Sequence, residues 1–252
     1  MRSIVIFFAP FLLSVLLLTS CNKSDSPVSP SAPGYGTLKS KIHPRTERTD
    51  LNSTDTVDYA DFNIAVTGTS YSMVTDTSGK WSFAGFPVGK YIVSFSKPGY
   101  SEYKLVYATV TKDDTTDYPV YMYKLTSARI SGVSYSLSAS QIAFNYKLNV
   151  NQLRQYYLRF YFSPDSTVGT PLSNYSFTEY ELLIDVNDTA SVRNHYVDVV
   201  TLRANGMASG TRVYCYGNIG YKNQYYDDSL TGRKIYNTFS TFPSAKMSFI
   251  LP

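Results

Sequence analysis

The run TDTSGKWSFAGFPVGKYIVSFSKPGY, residues 75–100, decides the fold class. Apolar residues recur at every second position: Trp81 and Phe83 share one face of a first segment, and Tyr91, Val93 and Phe95 share one face of a second. A period of two marks a strand with one buried face. Glycine and proline punctuate the run and its approaches at Gly68, Gly79, Pro87, Gly89, Pro98 and Gly99. The Asp76 carboxylate can accept backbone N–H bonds inside a turn, and Gly79 supplies the positive φ such a turn requires. Gly89 is expected to play the same part ahead of the core strand that Tyr91 begins. Short strands and tight turns without helical periodicity predict a β-sandwich.

Outward from this run, Asn63–Val66 alternates weakly, and further strands are predicted near 36–42, 71–75, 101–111 and 117–124. Segment 43–58 is polar and predicts a long loop. Lys39, Lys41, Arg45 and Arg48 gather beside Glu47, Asp50 and Asp55, a mixture that predicts a solvated loop. The turn signature Thr75-Asp76 with Gly79, the Pro87-to-Tyr91 turn and the closing Gly99-Tyr100 resemble the carboxypeptidase regulatory-like domain, densely over 64–100 and more loosely over 36–124. That resemblance implies a small transthyretin-like sandwich, an accessory beside a zinc-dependent catalytic domain that itself holds no catalytic residue.

Strand patterning restarts after Leu125. Ile142, Phe144, Tyr146, Leu148 and Val150 alternate on one face, and Leu158, Phe160 and Phe162 follow on another. Segments 180–186 and 196–202 predict two more strands. Residues 208–218 resemble the sixth strand of fibronectin type III-like modules, and Tyr236–Pro243 resembles their last. The expected class is therefore all-β: two consecutive antiparallel sandwiches, 35–125 (carboxypeptidase regulatory-like) and 126–252 (fibronectin type III or Ig-like), following a signal peptide and a disordered tether.

That leader is residues 1–20. One charge, Arg2, precedes an apolar run from Ile4 to Leu18. The run is roughly fifteen residues, short of the ~20 that span a bilayer, so it predicts a secretory signal. Leu18-Thr19-Ser20-Cys21 resembles the lipobox of bacterial lipoproteins. The resemblance implies a diacylglycerol on Cys21, a palmitate-type anchor, and a mature chain that begins there. Residues 21–34 are Ser/Pro-rich and predict an extended lipidated tether. Asn22 in place of an inner-membrane retention Asp, and the order Lys23, Asp25 after it, loosely resemble the surface-export signal of Bacteroidota lipoproteins. The expected location is the bacterial outer membrane, lipid-anchored and surface-exposed.

A formal net charge of +4, dispersed along the chain, argues against nucleic acid as a partner. With Cys21 acylated, Cys215 has no disulfide partner, and its phase with Val213 and Ile219 predicts a buried small hydrophobe. His43 and His195 fall in different halves with no ligand at metal spacing, so no metal, cofactor or catalytic residue is assigned. Asp113-Asp114 and Asp227-Asp228 are expected in turns. Asp185 and Asp188 form the best calcium candidate, though a solvated turn is preferred. Gly217–Gly220 lacks the following helix of a phosphate loop. The 24 tyrosines suit strands and can offer stacking surfaces to sugars. The expected function is a non-enzymatic binding or assembly module for a glycan or protein partner. The alternatives are a carbohydrate-active enzyme with unrecognised paired carboxylates, and a purely architectural spacer.

Overall fold

The computed structural model describes residues 34–46, 57–150, 155–169, 174–183, 191–228, 231–240 and 243–252, all within the compact unit Gly34–Pro252. The leader, Cys21, the tether, Arg48 with its acidic neighbours, and the Asp185–Asp188 candidate lie outside the described residues. The expected all-β class holds.

The first half contains β1 (Tyr35–Arg45), β2 (Asn63–Val66), β3 (Ser72–Val74), β4 (Lys80–Pro87), β5 (Gly89–Ser96), β6 (Tyr103–Val110), β7 (Thr115–Asp117) and β8 (Val120–Tyr123). One sheet runs β4-β1-β7, with β8 continuing alongside β1, and the other runs β3-β2-β5-β6. β1 pairs antiparallel with β4 but parallel with β7 and β8. Parallel pairing needs a long crossover, and here strands β2–β6 supply it. Between the sheets lie Leu38, Ile42, Trp81, Phe83, Phe86, Val93 and Phe95.

A β-bulge departs from strict alternation. Phe83 and Phe86 are both buried although three residues apart, and the β1–β4 register shifts between Gly36 and Leu38. Gly85 holds φ 63° and absorbs the extra residue. Gly79 adopts the expected positive φ, 67°, and the Asp76 carboxylate accepts the Ser78 N–H at 2.8 Å. Gly89 does not take a positive φ. β4 and β5 belong to different sheets, so Pro87-Val88-Gly89 is a crossing between layers, pinned by the Val88 N–H to the Gly34 carbonyl, and needs no reverse turn.

The second half contains β9 (Arg129–Leu137), β10 (Gln141–Asn149), β11 (Tyr156–Ser163), β12 (Phe177–Leu183), β13 (Arg193–Asp198), α1 (Val199–Ala204), β14 (Arg212–Gly220), β15 (Tyr225–Asp228), β16 (Arg233–Tyr236) and β17 (Met247–Ile250). Sheets β13-β10-β9 and β12-β11-β14-β17 enclose a second core that includes Phe144, Tyr146, Phe160, Phe162, Val213, Cys215 and Ile219. β15 and β16 form a separate hairpin.

Three expectations need correction here. Val199–Leu202 does not extend the preceding strand. It forms α1, because Val199 and Leu202, three apart, reach the core together as one helical face, followed by the good helix formers Arg203 and Ala204. The last strand is β17, paired with β14, rather than Tyr236–Pro243. Tyr236 closes β16, and Phe239 bridges to Gly220. Asp227-Asp228 ends strand β15 rather than sitting in a turn, while Asp113, at φ 57°, does occupy one.

Candidate functional site

Both faces of β11 are covered. Leu158, Phe160 and Phe162 face the core as expected, but Arg159 and Tyr161, which alternate with them, are buried as well. The hairpin β15–β16 and the segment after it fold across this outer face. The Ser240 N–H donates to the Ile219 carbonyl at 2.7 Å and the Ser244 N–H to the Gly217 carbonyl at 2.8 Å, lacing the segment to β14. Tyr161 stacks on Tyr216 with centroids 4.8 Å apart and planes within 7°. Val168 and Tyr175 complete this third cluster.

Arg159 is 2% exposed and has no carboxylate partner among the described residues. Its guanidinium donates to Thr178 Oγ1 at 3.1 Å and to Asn223 Oδ1 at 2.8 Å, and lies over the rings of Tyr236 (3.5 Å), Tyr180 (5.0 Å) and Phe239 (5.8 Å). Burial holds it below its ordinary pKa. Ring quadrupoles and neutral acceptors stand where an anion usually would.

Beyond this cage opens a cleft of about 300 Å³ where the two halves meet. Tyr100, Ser101, Glu102 and Leu125 come from the first half, and Tyr216, Asn218, Tyr226, Tyr236, Asn237 and Phe239 from the second. The Asn237 side-chain amide donates to the Glu102 carbonyl, the Tyr221 hydroxyl donates to the Arg45 carbonyl at 3.2 Å, and Tyr103 meets Tyr226 edge-on. Burial pushes the Tyr226 hydroxyl up to about 12. Two polar atoms on the wall have no hydrogen-bond partner among the described residues: Tyr216 Oη and Asn237 Oδ1, on side chains of residues 4% and 6% exposed.

The residues singled out in the sequence are placed as follows. Cys215 is buried as expected, and burial pushes its thiol up. His43, expected in a loop, lies within β1, because that strand extends through Arg45, and it stacks on Tyr121 at 5.3 Å. Lys39 and Lys41 lie in β1 within the strand expected over 36–42, and Arg45, expected with them in a solvated loop, ends that strand. His195 has a partner that the sequence did not reveal: its Nδ1 lies 3.1 Å from Glu181 Oε2, which also accepts from the Tyr146 hydroxyl at 3.3 Å. The ring stacks on Phe160 at 5.1 Å, so this group closes the edge of the core. No cluster of three metal-ligating side chains occurs among the described residues.

A model of the carboxypeptidase regulatory-like domain matches residues 49–123. No curated protein matches the chain. Among solved structures, a candidate carbohydrate-binding protein from Bacteroides uniformis is 12% identical, covering 86% of this chain and 100% of that one at a TM-score of 0.34. A DUF3823 family protein from Bacteroides ovatus is 13% identical, covering 86% and 100% at 0.31. A cohesin–X-dockerin complex from Acetivibrio cellulolyticus is 24% identical over 35% of this chain at 0.29, and the chain spans 58% of that one's length.

Proposed function

We propose that the chain is a lipid-anchored, non-enzymatic binding module that holds a glycan in the cleft between its two halves. The observation that carries this reading is the pairing of rings with orphaned polar atoms: Tyr100, Tyr226, Tyr236 and Phe239 line a concavity whose wall also holds the unpartnered Tyr216 Oη and Asn237 Oδ1. A buried polar atom left unpaired costs about 1–3 kcal/mol. Sugar hydroxyls would satisfy both atoms while the rings take the apolar faces of the sugar. A concave site with a few convergent polar groups is the usual form of a small-ligand pocket.

Glu102 is the one carboxylate among the residues lining the cleft. Glycoside hydrolysis calls for two flanking carboxylates, which favours binding over turnover. A glycan array probed with the full chain and with Tyr226→Ala tests the reading. Wild type should bind a restricted set of glycans, and the variant should lose that set. An array without hits, or hits that Tyr226→Ala leaves intact, contradicts it.

Acylation of Cys21 and display at the outer-membrane surface belong to the same proposal, motivated by the Leu18–Cys21 lipobox resemblance. Mass spectrometry should find an acylated Cys21 at the mature N-terminus. Protease added to intact cells should remove the folded part, and protection until the outer membrane is opened would place it on the periplasmic side.

A further inference from the structure

The outward face of β1 carries Lys39, Lys41, His43 and Arg45 at alternate positions. Alternate strand residues stand ~6.7 Å apart, so the row extends ~20 Å. Its neighbours add to it. Lys80 of β4 is the register partner of Lys41, and Asp117 of β7 faces Lys39. Among the described residues none of the five basic groups forms an ion pair. Two lysines directly opposite each other destabilise a sheet, and Asp117 is the one acid at this register. Tyrosine rings stand among the cations: Tyr59 lies 4.8 Å from the Lys41 ammonium, and Tyr121 lies 5.4 Å from the Arg45 guanidinium.

A shallow depression of about 480 Å³ opens at this end of the sheet, lined by Lys39, Ser40, Lys41, Lys80, Trp81 and Asp117 among others. Trp81 is 2% exposed, and its Nε1–H has no partner among the described residues. Three lysines rim the depression, and Trp81, whose ring packs between the sheets, closes its inner wall.

We propose that this face is a second site, separate from the cleft, that binds an acidic polysaccharide carrying a carboxylate on each repeat. Four cations, Lys39, Lys41, Arg45 and Lys80, interleaved with the rings of His43, Tyr59 and Tyr121 and bordering the depression, match a linear chain of ring-shaped anions. A flat anionic bilayer is the competing partner. The exposed aliphatic side chains that would insert into it, Val74, Val88, Val192 and Val200, lie at positions off this row, and the exposed rings beside it are Tyr35 and Tyr121.

The test measures binding of the chain from residue 21 onward with Cys21→Ser, in detergent-free buffer, to polygalacturonate, to the fully methyl-esterified form of the same polymer, and to phosphatidylglycerol-containing vesicles. Polygalacturonate should bind at low salt and weaken at least tenfold on raising salt to 0.3 M, as screened surface charges require. The esterified polymer should bind at least tenfold more weakly. Lys39→Gln/Lys41→Gln should cost at least fivefold with a melting temperature equal to or above that of the wild type, since it relieves the Lys41–Lys80 opposition, and Lys80→Gln should act in the same direction. Equal binding of both polymers, indifference to both variants, or binding to vesicles without binding to polygalacturonate overturns the proposal. These variants lie outside the cleft, so glycan-array hits should survive them, and the two sites fail or stand separately.

Discussion

The Arg159 guanidinium carbon sits 3.5 Å from the centre of the Tyr236 ring, joining the sheet strand β11 to the hairpin strand β16. A desolvated cation–ring contact is worth ~2 kcal/mol, and deletion would also strand Thr178 and Asn223 as acceptors. Arg159→Ala should destabilise the second half by about 2–4 kcal/mol, read from urea unfolding followed by tyrosine fluorescence. Arg159→Lys keeps the charge but loses the planar stack and the fork, so its cost should fall between. A cost below about 1 kcal/mol for Arg159→Ala would show that the cage does not hold the hairpin.

The two glycines flanking β4 separate cleanly. An added Cβ on Gly79, at φ 67°, would meet the Tyr59 ring at 2.9 Å, whereas the nearest atom to one on Gly89 is the end of the Tyr91 side chain, at 3.1 Å. Gly79→Ala should therefore lower stability by ~1–3 kcal/mol, as strained backbone costs, with Gly89→Ala costing clearly less. Equal losses in a thermal melt would place strain at both positions.

The cores are drawn from different halves, residues 38–122 for one and 128–251 for the other. We expect fragments 34–125 and 126–252 to fold separately. The single tryptophan, Trp81, reports the first alone: its emission should be blue-shifted in fragment 34–125 and move red in one cooperative transition. Fragments that stay unfolded apart and fold only when mixed would make the halves one cooperative unit.

Alkaline pH should destabilise the fold. Burial raises the hydroxyl pKa values of Tyr146, Tyr161, Tyr216 and Tyr226 and the Cys215 thiol. Above the unfolded values, ~8.5 for cysteine and ~10 for tyrosine, the native state holds more protons than the unfolded one. Stability then falls as pH rises. Spectrophotometric titration should show exposed tyrosines ionising first and a buried group ionising only as circular dichroism is lost. Smooth ionisation of all tyrosines with the fold intact would contradict this.

How much of this was legible follows from the residues themselves. The alternation of Ile142 to Leu148 and of Trp81 with Phe83 gave strands and inward faces, because one face meets water and the other the core. Gly79 was legible because turn chemistry is local. The bulge at Gly85 was not: it is defined by register against β1, which a single strand does not record. Val199–Leu202 is β-rich in composition and helical in fact, since spacing to the core outweighed β-propensity. Arg159 shows the largest gap. A strand with both faces covered reads as amphipathic when the second cover, the β15–β16 hairpin, lies more than sixty residues away in sequence. The cleft was illegible for the same reason, its wall combining Tyr100–Glu102 with Tyr216 and Tyr236–Phe239.

A glycan held in the cleft touches both halves of the chain. Hydrogen–deuterium exchange by mass spectrometry, on the full chain with and without the strongest glycan from the array, tests it most directly. Exchange should slow in both walls at once, around 100–102 and around 216–226 and 236–240. Protection confined to one half, or none at the cleft while the glycan is bound, would contradict it.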